Sequence, residues 1–239
     1  MQASTSFTHE SHSTQMTDTR LPTTHDIPDS DRPRQRRADG DATRADIIEV
    51  AGTLFAKQGY FGTTSKAICK QAGVNVAAIN YHFGSRDGLY LAVLKEVHHR
   101  FMSTEFLQAL ADSPLPAPEK LQLFFRELVQ HIMTGDSWPM RVWAREMLTP
   151  TAMLDRIIRE ETLPKFKFLT DITHDITGID ASDERMPQLA LSTIAPCLVM
   201  LIMDRRTSTP LHPVLQQSPI ALADALCQFA LAGLQQAAH

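Results

Sequence analysis

Apolar positions in this chain recur with the spacing of helices, and nowhere is the alternation of a half-buried strand sustained. Ile47, Ile48, Ala51, Leu54 and Phe55 form a first stripe that stops at Gly59, a natural C-cap, so a helix is predicted over 43–58. Thr63 and Thr64 then offer an N-cap and first turn to a second helix, which carries Ile68 inward and stops at Gly73. Asn75 supplies the N-cap of a third helix ending near His82, and Ser85 precedes a fourth, expected to run from Arg86 towards Leu110. Only 73–75 separate the second helix from the third. A bihelical unit with so short a turn is the geometry that lays its second helix in the major groove of DNA.

Beyond a break at Pro114, Pro116 and Pro118, the residues Leu121, Phe124, Phe125, Leu128, Val129 and Ile132 mark an amphipathic helix. Further helices are expected over 139–148, over 151–177 with a bend at Pro164, over 182–204 and over 219–236. The fold class is therefore all-α, with a three-helix N-terminal head over 42–88 and a larger helical body over 89–239. The preceding segment, 1–41, is rich in Ser, Thr, Asp, Pro and His and nearly devoid of large apolar side chains. It cannot offset its own ordering entropy and is expected to be a disordered tail. Its basic cluster RPRQRR, 32–37, either lies along phosphates or is simply solvated.

Charge sharpens this division. The net value is −4, but the segments sum to about −2 over 1–42, about +3 over 43–100 and about −5 over 101–239, so positive charge concentrates on the helix-turn-helix. A surplus of that size also arises by chance and supports the reading without carrying it. Three cysteines, with no paired spacing and no secretory signal, point to a reducing compartment, with the cytosol as the expectation. The longest apolar run, 189–203, is interrupted by Ser192, Thr193 and Pro196 and falls short of the roughly 20 residues that span a bilayer, so no membrane segment is expected.

On the third helix Ile79 has a reason to face inward and Phe83 to close the small core, which leaves a polar outer face. Ala77 and Ala78 are small enough for a close approach to base edges, and Asn80 can bond adenine or a phosphate. Tyr81 and His82 are long and tipped with donors, suited to phosphates. Helix N-termini near Thr64 and Ser85, with Arg86 beside the second, would add anion contacts. Residue types alone equally allow Tyr81 to pack on the first helix and His82 to cap the third.

The stretch FAKQGYFGTTSKAICKQAGVNVAAINYHFGSRDGLY, 55–90, resembles the TetR family of one-component transcription regulators. It carries that family's phenylalanine and glycine before paired threonines, its isoleucine and Ala-Gly-Val, and its tyrosine-histidine-phenylalanine ending. The resemblance implies that the third helix reads the major groove and that Thr64, Tyr81, His82 and Arg86 touch phosphates. The sites equivalent to Val76 and Asn80 vary in the family, so no base preference carries over. The candidate DNA contacts are Thr43, Arg44, Thr63, Thr64, Asn75, Val76, Ala77, Asn80, Tyr81, His82, Ser85 and Arg86.

A weaker resemblance lies in AREMLTPTAMLDRIIREETLPKF, 144–166, with TGID and DERM further on, which is similar to the CecR-type branch, whose members tend to control efflux and drug-sensitivity genes. It implies a bundle that dimerises through its last two helices, with Leu198, Leu201, Leu226 and Phe229 as candidates, and an effector cavity among the middle ones. The candidate pocket residues are Phe125, His131, Trp138, Arg141, Trp143, Met147 and Phe168. Trp and Met would supply adaptable apolar contact and Arg a fixed charge. Alternatively Trp143 and Met147 belong to the core and Arg145 pairs with Glu146 or another acid.

Other constellations carry less. His174 with Asp171 and Asp175, or His98 with His99, lacks a further ligand at a recognisable spacing, so no metal or cofactor is expected. Cys69, Cys197 and Cys227 fall where small buried residues are wanted. The chain has no glycine-rich phosphate loop, nucleophile elbow or His-Glu zinc pattern, and no enzymatic activity is expected. The expected function is a TetR-like regulator, a repressor by default because occupancy alone blocks polymerase. It would bind a palindromic double-stranded DNA operator as a homodimer and be released by a small apolar or aromatic effector. The alternative keeps the DNA binding and gives the helical body a protein partner instead.

Overall fold

The computed structural model describes residues 32–134, 137–203 and 210–238, with 32–39 as backbone alone. The chain divides into two units, Met1–Asp39 and Gly40–His239, and the packing described below belongs to the second. All regular structure among the described residues is helical.

Helix α1, Arg32–Gly62, opens well before the expected start at 43. The end of the expected tail, 32–41, is thus helical, and the rest of that tail lies outside the described residues. Arg, Gln and Ala are strong helix formers, and Pro33 sits in the first turn, where a missing N–H costs nothing. The helix breaks at Gly59 (φ 71°, ψ 171°), a conformation essentially reserved for glycine, at the C-cap that the apolar stripe indicates. Helices α2, Ser65–Ala72, and α3, Val76–Phe83, follow as expected.

The fourth helix does not run to Leu110. It ends as α4, Arg86–Phe101, because Met102 is extended and Ser103 caps a new helix, accepting a hydrogen bond from the Phe106 N–H at 3.1 Å. Helix α5, Thr104–Asp112, results. Then come α6, Ala117–Met133, and α7, Trp138–Leu148. The expected irregularity at Pro164 takes the form of a π-helical turn, Ile158–Thr162, between α8, Leu154–Ile157, and α9, Leu163–Thr177. Proline donates no hydrogen bond to the carbonyl four residues back, and the wider turn accommodates that loss. Helix α10, Met186–Ile202, keeps Pro196 inside it, a short 3-10 turn spans His212–Gln216, and α11, Pro219–Ala237, closes the chain.

Among the described residues two apolar clusters form the interior. The first joins Ile47, Phe55, Ile68 and Ile79 of the head to Leu89, Tyr90 and Leu94 of α4 and Val142 and Trp143 of α7. The head's core therefore continues past residue 88. The second fills the body between α5, α6, α9, α10 and α11 around Leu121, Phe125, Ala190 and Ala223. There α6 lies along α11, and Asp224 takes a bidentate bond from Arg126, at 2.8 and 3.0 Å. Cys69, Cys197 and Cys227 are all buried, and burial pushes the Cys197 thiol up to about 12. Among the described residues no helix is long and apolar enough to cross a membrane.

Candidate nucleic-acid interface

Three side-chain caps build the helix-turn-helix. Thr64 Oγ1 accepts from the Ala67 N–H at 3.2 Å, Asn75 Oδ1 from Ala78 at 3.0 Å and Ser85 Oγ from Gly88 at 3.0 Å, so each of α2, α3 and α4 starts where the sequence places a cap. Gly73 closes α2 in the left-handed region, turning the chain into α3. Ile79, 1% exposed, anchors the inner side of α3. Val76, Ala77, Asn80 and Tyr81 stand on the outer side, exposed. Tyr81 is 85% exposed and meets His82 edge to face at 4.9 Å, so it does not pack against α1.

Other expected contacts are placed differently. Thr63 is fully buried, with its hydroxyl donating to the Gly59 carbonyl at 2.8 Å, so it holds the turn and presents nothing to a ligand. Arg86 donates from Nη1 to the Thr63 carbonyl at 2.8 Å and lies over the Tyr60 ring at 4.2 Å. Its charge thus locks the entry of α4 against the turn before α2. Thr43 is half-buried; Arg44 is exposed on α1, with its guanidinium 5.3 Å from the centre of the Phe83 ring at the end of α3.

The head is gripped by α7. Arg145 donates to the carbonyls of Ala56 and Lys57, at 2.9 and 3.2 Å, a cation placed at the turn just before the break at Gly59. It therefore does not pair with Glu146. One face further back, Trp138 donates to Glu49 at 2.8 Å and lies flat on Gly52, where a Cβ would fall 2.5 Å from the indole. Arg100 also binds Glu49 and lies over the Trp138 ring at 5.2 Å. Burial alone would raise the Glu49 pKa; bonds from Arg100 and Trp138 outweigh it and hold the carboxyl below its usual range. Glu146, 1% exposed, accepts from the Tyr90 hydroxyl at 2.8 Å and from the Thr151 N–H and hydroxyl at 2.9 and 2.8 Å. Sequence reasoning missed Tyr90, Glu146 and Gly52. A glycine inside a helical stripe is a signal of close approach, but nothing in the sequence joins Tyr90 to a carboxylate 56 positions away.

The seven expected pocket residues are spread over several environments among the described residues. Phe125 and Phe168 are buried in the body core, and Trp143 is buried in the head-side core against His98, with ring centres 4.5 Å apart. His131 faces Glu127 at 2.9 Å, Trp138 is bound to Glu49, and Arg141 and Met147 are exposed. A cleft of about 250 Å³ lies elsewhere, bounded by α1, α4, α5, the π turn and α9, and among the described residues the apolar ones on it are Ile48 and Ala92. Of the expected dimer contacts, Leu201 is turned into the core, Leu198 and Leu226 are half-buried, and Phe229 is 78% exposed. Leu191, Val199 and Ile202 on α10 and Ile220 on α11 are also exposed.

Comparison with known proteins adds the lineage. The profile of bacterial regulatory proteins of the tetR family matches residues 47–93, and that of the C-terminal domain of the HTH-type transcriptional dual regulator CecR matches 117–234. The HTH-type transcriptional dual regulator CecR of Shigella flexneri is 30% identical over 158 residues, 62% of this chain and 70% of that protein. Among solved structures, a TetR-like transcriptional regulator from Rhodococcus sp. RHA1 gives a TM-score of 0.60 at 18% identity, covering 80% of this chain and 95% of the other. AibR, in complex with isovaleryl coenzyme A and operator DNA, gives 0.62 at 17% identity over 78% and 97%. The structural likeness speaks for the fold, and the sequence match, falling on the capped turn and exposed α3 described above, speaks for descent. The chain belongs to the TetR family of bacterial transcriptional regulators.

Proposed function

We propose that this regulator is a homodimeric repressor that binds a palindromic operator through two copies of α3 and is controlled by a small molecule. The observation that carries the reading is the outer face of α3, where Val76, Ala77, Asn80 and Tyr81 stand exposed on a helix fixed from behind by Ile79. Small side chains and an amide there suit base edges, and the phenol suits a phosphate. Exposed Leu191, Val199, Ile202, Ile220 and Phe229 offer α10 and α11 an apolar surface for a second copy. Two-fold pairing of heads requires half-sites about one helical turn of DNA apart, or a multiple of it. A fold like this one carries both ligand and operator in AibR, which supports small-molecule control here.

Fluorescence anisotropy with DNA fragments from the chain's own genomic neighbourhood, paired with sedimentation velocity, tests the reading. The expected result is a dimer of the 26.7 kDa chain that retains a palindromic fragment, with binding lost in an Asn80→Ala/Tyr81→Ala variant. A monomer with and without DNA, or fragment binding indifferent to that variant, refutes it.

A further inference from the structure

The cleft between α1, α4, α5, the π turn and α9 is unlike an apolar drug pocket. Its charged residues are Arg44, Lys95 and Lys165 against Glu96, Glu105 and Glu161, with His99 and Thr104 beside them. Lys95 is bound to Glu160 at 2.7 Å and Glu96 to Arg100 at 2.6 Å. Lys165 is the most enclosed of the bases, its side chain 12% exposed, yet its ammonium uses one donor on the His98 carbonyl at 2.7 Å and stands 4.0 Å from Glu161. An ammonium has three donors, so capacity for an incoming acceptor remains. Burial lowers the Lys165 pKa, and Glu161 and Glu105 only partly restore it, the condition of a cation whose surroundings under-compensate it.

Glu161 reaches this cleft because the π turn carries it, and π turns occur mostly as local insertions at functional sites. In the same turn Thr162 Oγ1 is buried without a hydrogen-bond partner. A simple anion in the cleft would face Glu105 and Glu161, and a simple cation would face Arg44 and Lys165. A molecule carrying both charges satisfies both sets. The volume, about 250 Å³, lies below the roughly 300–1,000 Å³ that drug-sized ligands occupy, which sets the size of the occupant at that of a single small metabolite.

We infer that this cleft is an effector site for a small zwitterion of the amino-acid type, its carboxylate held by Lys165 and Arg44 and its ammonium by Glu105 and Glu161. The inference rests on the reading of the chain as a ligand-controlled DNA-binding regulator. It replaces the apolar or aromatic effector expected from Trp138, Trp143 and Phe168 with a polar one bound against the head itself. Because Arg44 and Ile48 belong to α1 and Glu161 and Lys165 to the body, an occupant ties the two together, and its differential affinity for the two positions of the head is what shifts DNA binding.

The experiment uses the full chain, with the twenty standard amino acids added singly and acetate and methylammonium as single-charge controls. Thermal shift reads binding, and operator anisotropy reads its consequence. At least one amino acid is expected to raise Tm and to change operator affinity several-fold, while the controls do neither. Glu105→Gln and Lys165→Met should each weaken that binding tenfold or more, and Gln235→Ala, on the far end of α11, should leave it unchanged. Glu105 lies at the surface, so its variant carries the test if Lys165→Met does not fold. Operator binding with no response to any amino acid overturns the inference and leaves the regulator standing; ligand binding that survives both variants, or leaves operator affinity untouched, also overturns it. Failure to bind any DNA overturns the regulator reading instead.

Discussion

Removing one hydroxyl, by Tyr90→Phe, tests whether the buried carboxylate of Glu146 fastens the head to α7. The Tyr90 ring stays in place under this change, edge-on to Phe55 with centres 4.7 Å apart, so the loss is confined to one bond. Burial first, and Glu146 second, push the Tyr90 phenol above its ordinary range, so it remains a donor at any working pH. Glu146 Oε1 keeps both of its bonds from Thr151 while Oε2 loses the bond at 2.8 Å and, at 1% exposure, finds no water to replace it. A hydrogen bond to a charged group contributes about 1.5–3 kcal/mol net, and orphaning a buried acceptor falls towards the upper end, so about 2–3 kcal/mol is expected. At roughly 2–4 °C per kcal/mol for a chain of this size, Tm should fall by roughly 4–12 °C. The comparison must be made at one protomer concentration, since the proposed dimerisation would make Tm depend on it. In the Glu146→Leu background the same hydroxyl has no carboxylate to serve, and its removal should cost little, giving a coupling energy of about 2 kcal/mol in the cycle. A loss below about 0.5 kcal/mol for Tyr90→Phe, or additive single mutants, would refute the account.

Gly52→Ala should drive the Trp138 indole off α1, costing about 1–3 kcal/mol by overpacking and shifting tryptophan emission; a silent substitution would mean that the two helices separate freely. His98 is held neutral by burial, its pKa lowered from 6.5 to about 3, so the unfolded chain binds more protons between those values. Its contribution is complete above pH 6.5 and is lost as pH falls towards 3, by up to about 1.4 kcal/mol per pH unit. His98→Leu should flatten the urea-derived stability profile over that window, and an unchanged slope counts against the burial argument. On DNA, Tyr81→Phe should weaken all sequences alike while Asn80→Ala should reorder preferences among operator variants, as competition binding would reveal; a reordering by Tyr81→Phe would assign it a base rather than a phosphate.

Local signals carried the head. The caps at Thr64, Asn75 and Ser85 and the stops at Gly59 and Gly73 are each specified within four residues, and the structure uses all of them. What residue type and spacing did not show is where a side chain is already engaged. Thr63 looks like a surface cap until Gly59 is seen to accept its hydroxyl, and Arg86 looks like a free cation until its Nη1 is seen bonded to the Thr63 carbonyl and its guanidinium over the Tyr60 ring. Trp143 and Phe168 have the composition of a pocket wall, but composition does not distinguish a cavity from a filled core; His98 and Phe124 fill the space beside them. Nor does local spacing show that Tyr90 and Leu94 share the head's core with Val142 and Trp143, on a helix that arrives only at residue 138.

By these contacts α7 holds α1 of the head. Arg44, Ile48, Gly52 and Ala56 are spaced by four and therefore line one stripe of α1, and the body meets this stripe in two places. Near its N-terminal half Arg44 and Ile48 border the polar cleft. Near its C-terminal half Gly52 bears the Trp138 indole and Ala56 gives its carbonyl to Arg145. The second contact is close, with a glycine where a methyl group would not fit, while the first has room for a ligand. A force applied at the cleft would then turn α1 about the Gly52–Trp138 contact rather than slide it. Because Arg44 also lies over Phe83 at the end of α3, a turn of α1 is passed to the helix that presents Asn80 and Tyr81. In a dimer with two such heads, a small rotation in each changes the distance between recognition helices twice over, and half-site spacing tolerates little change.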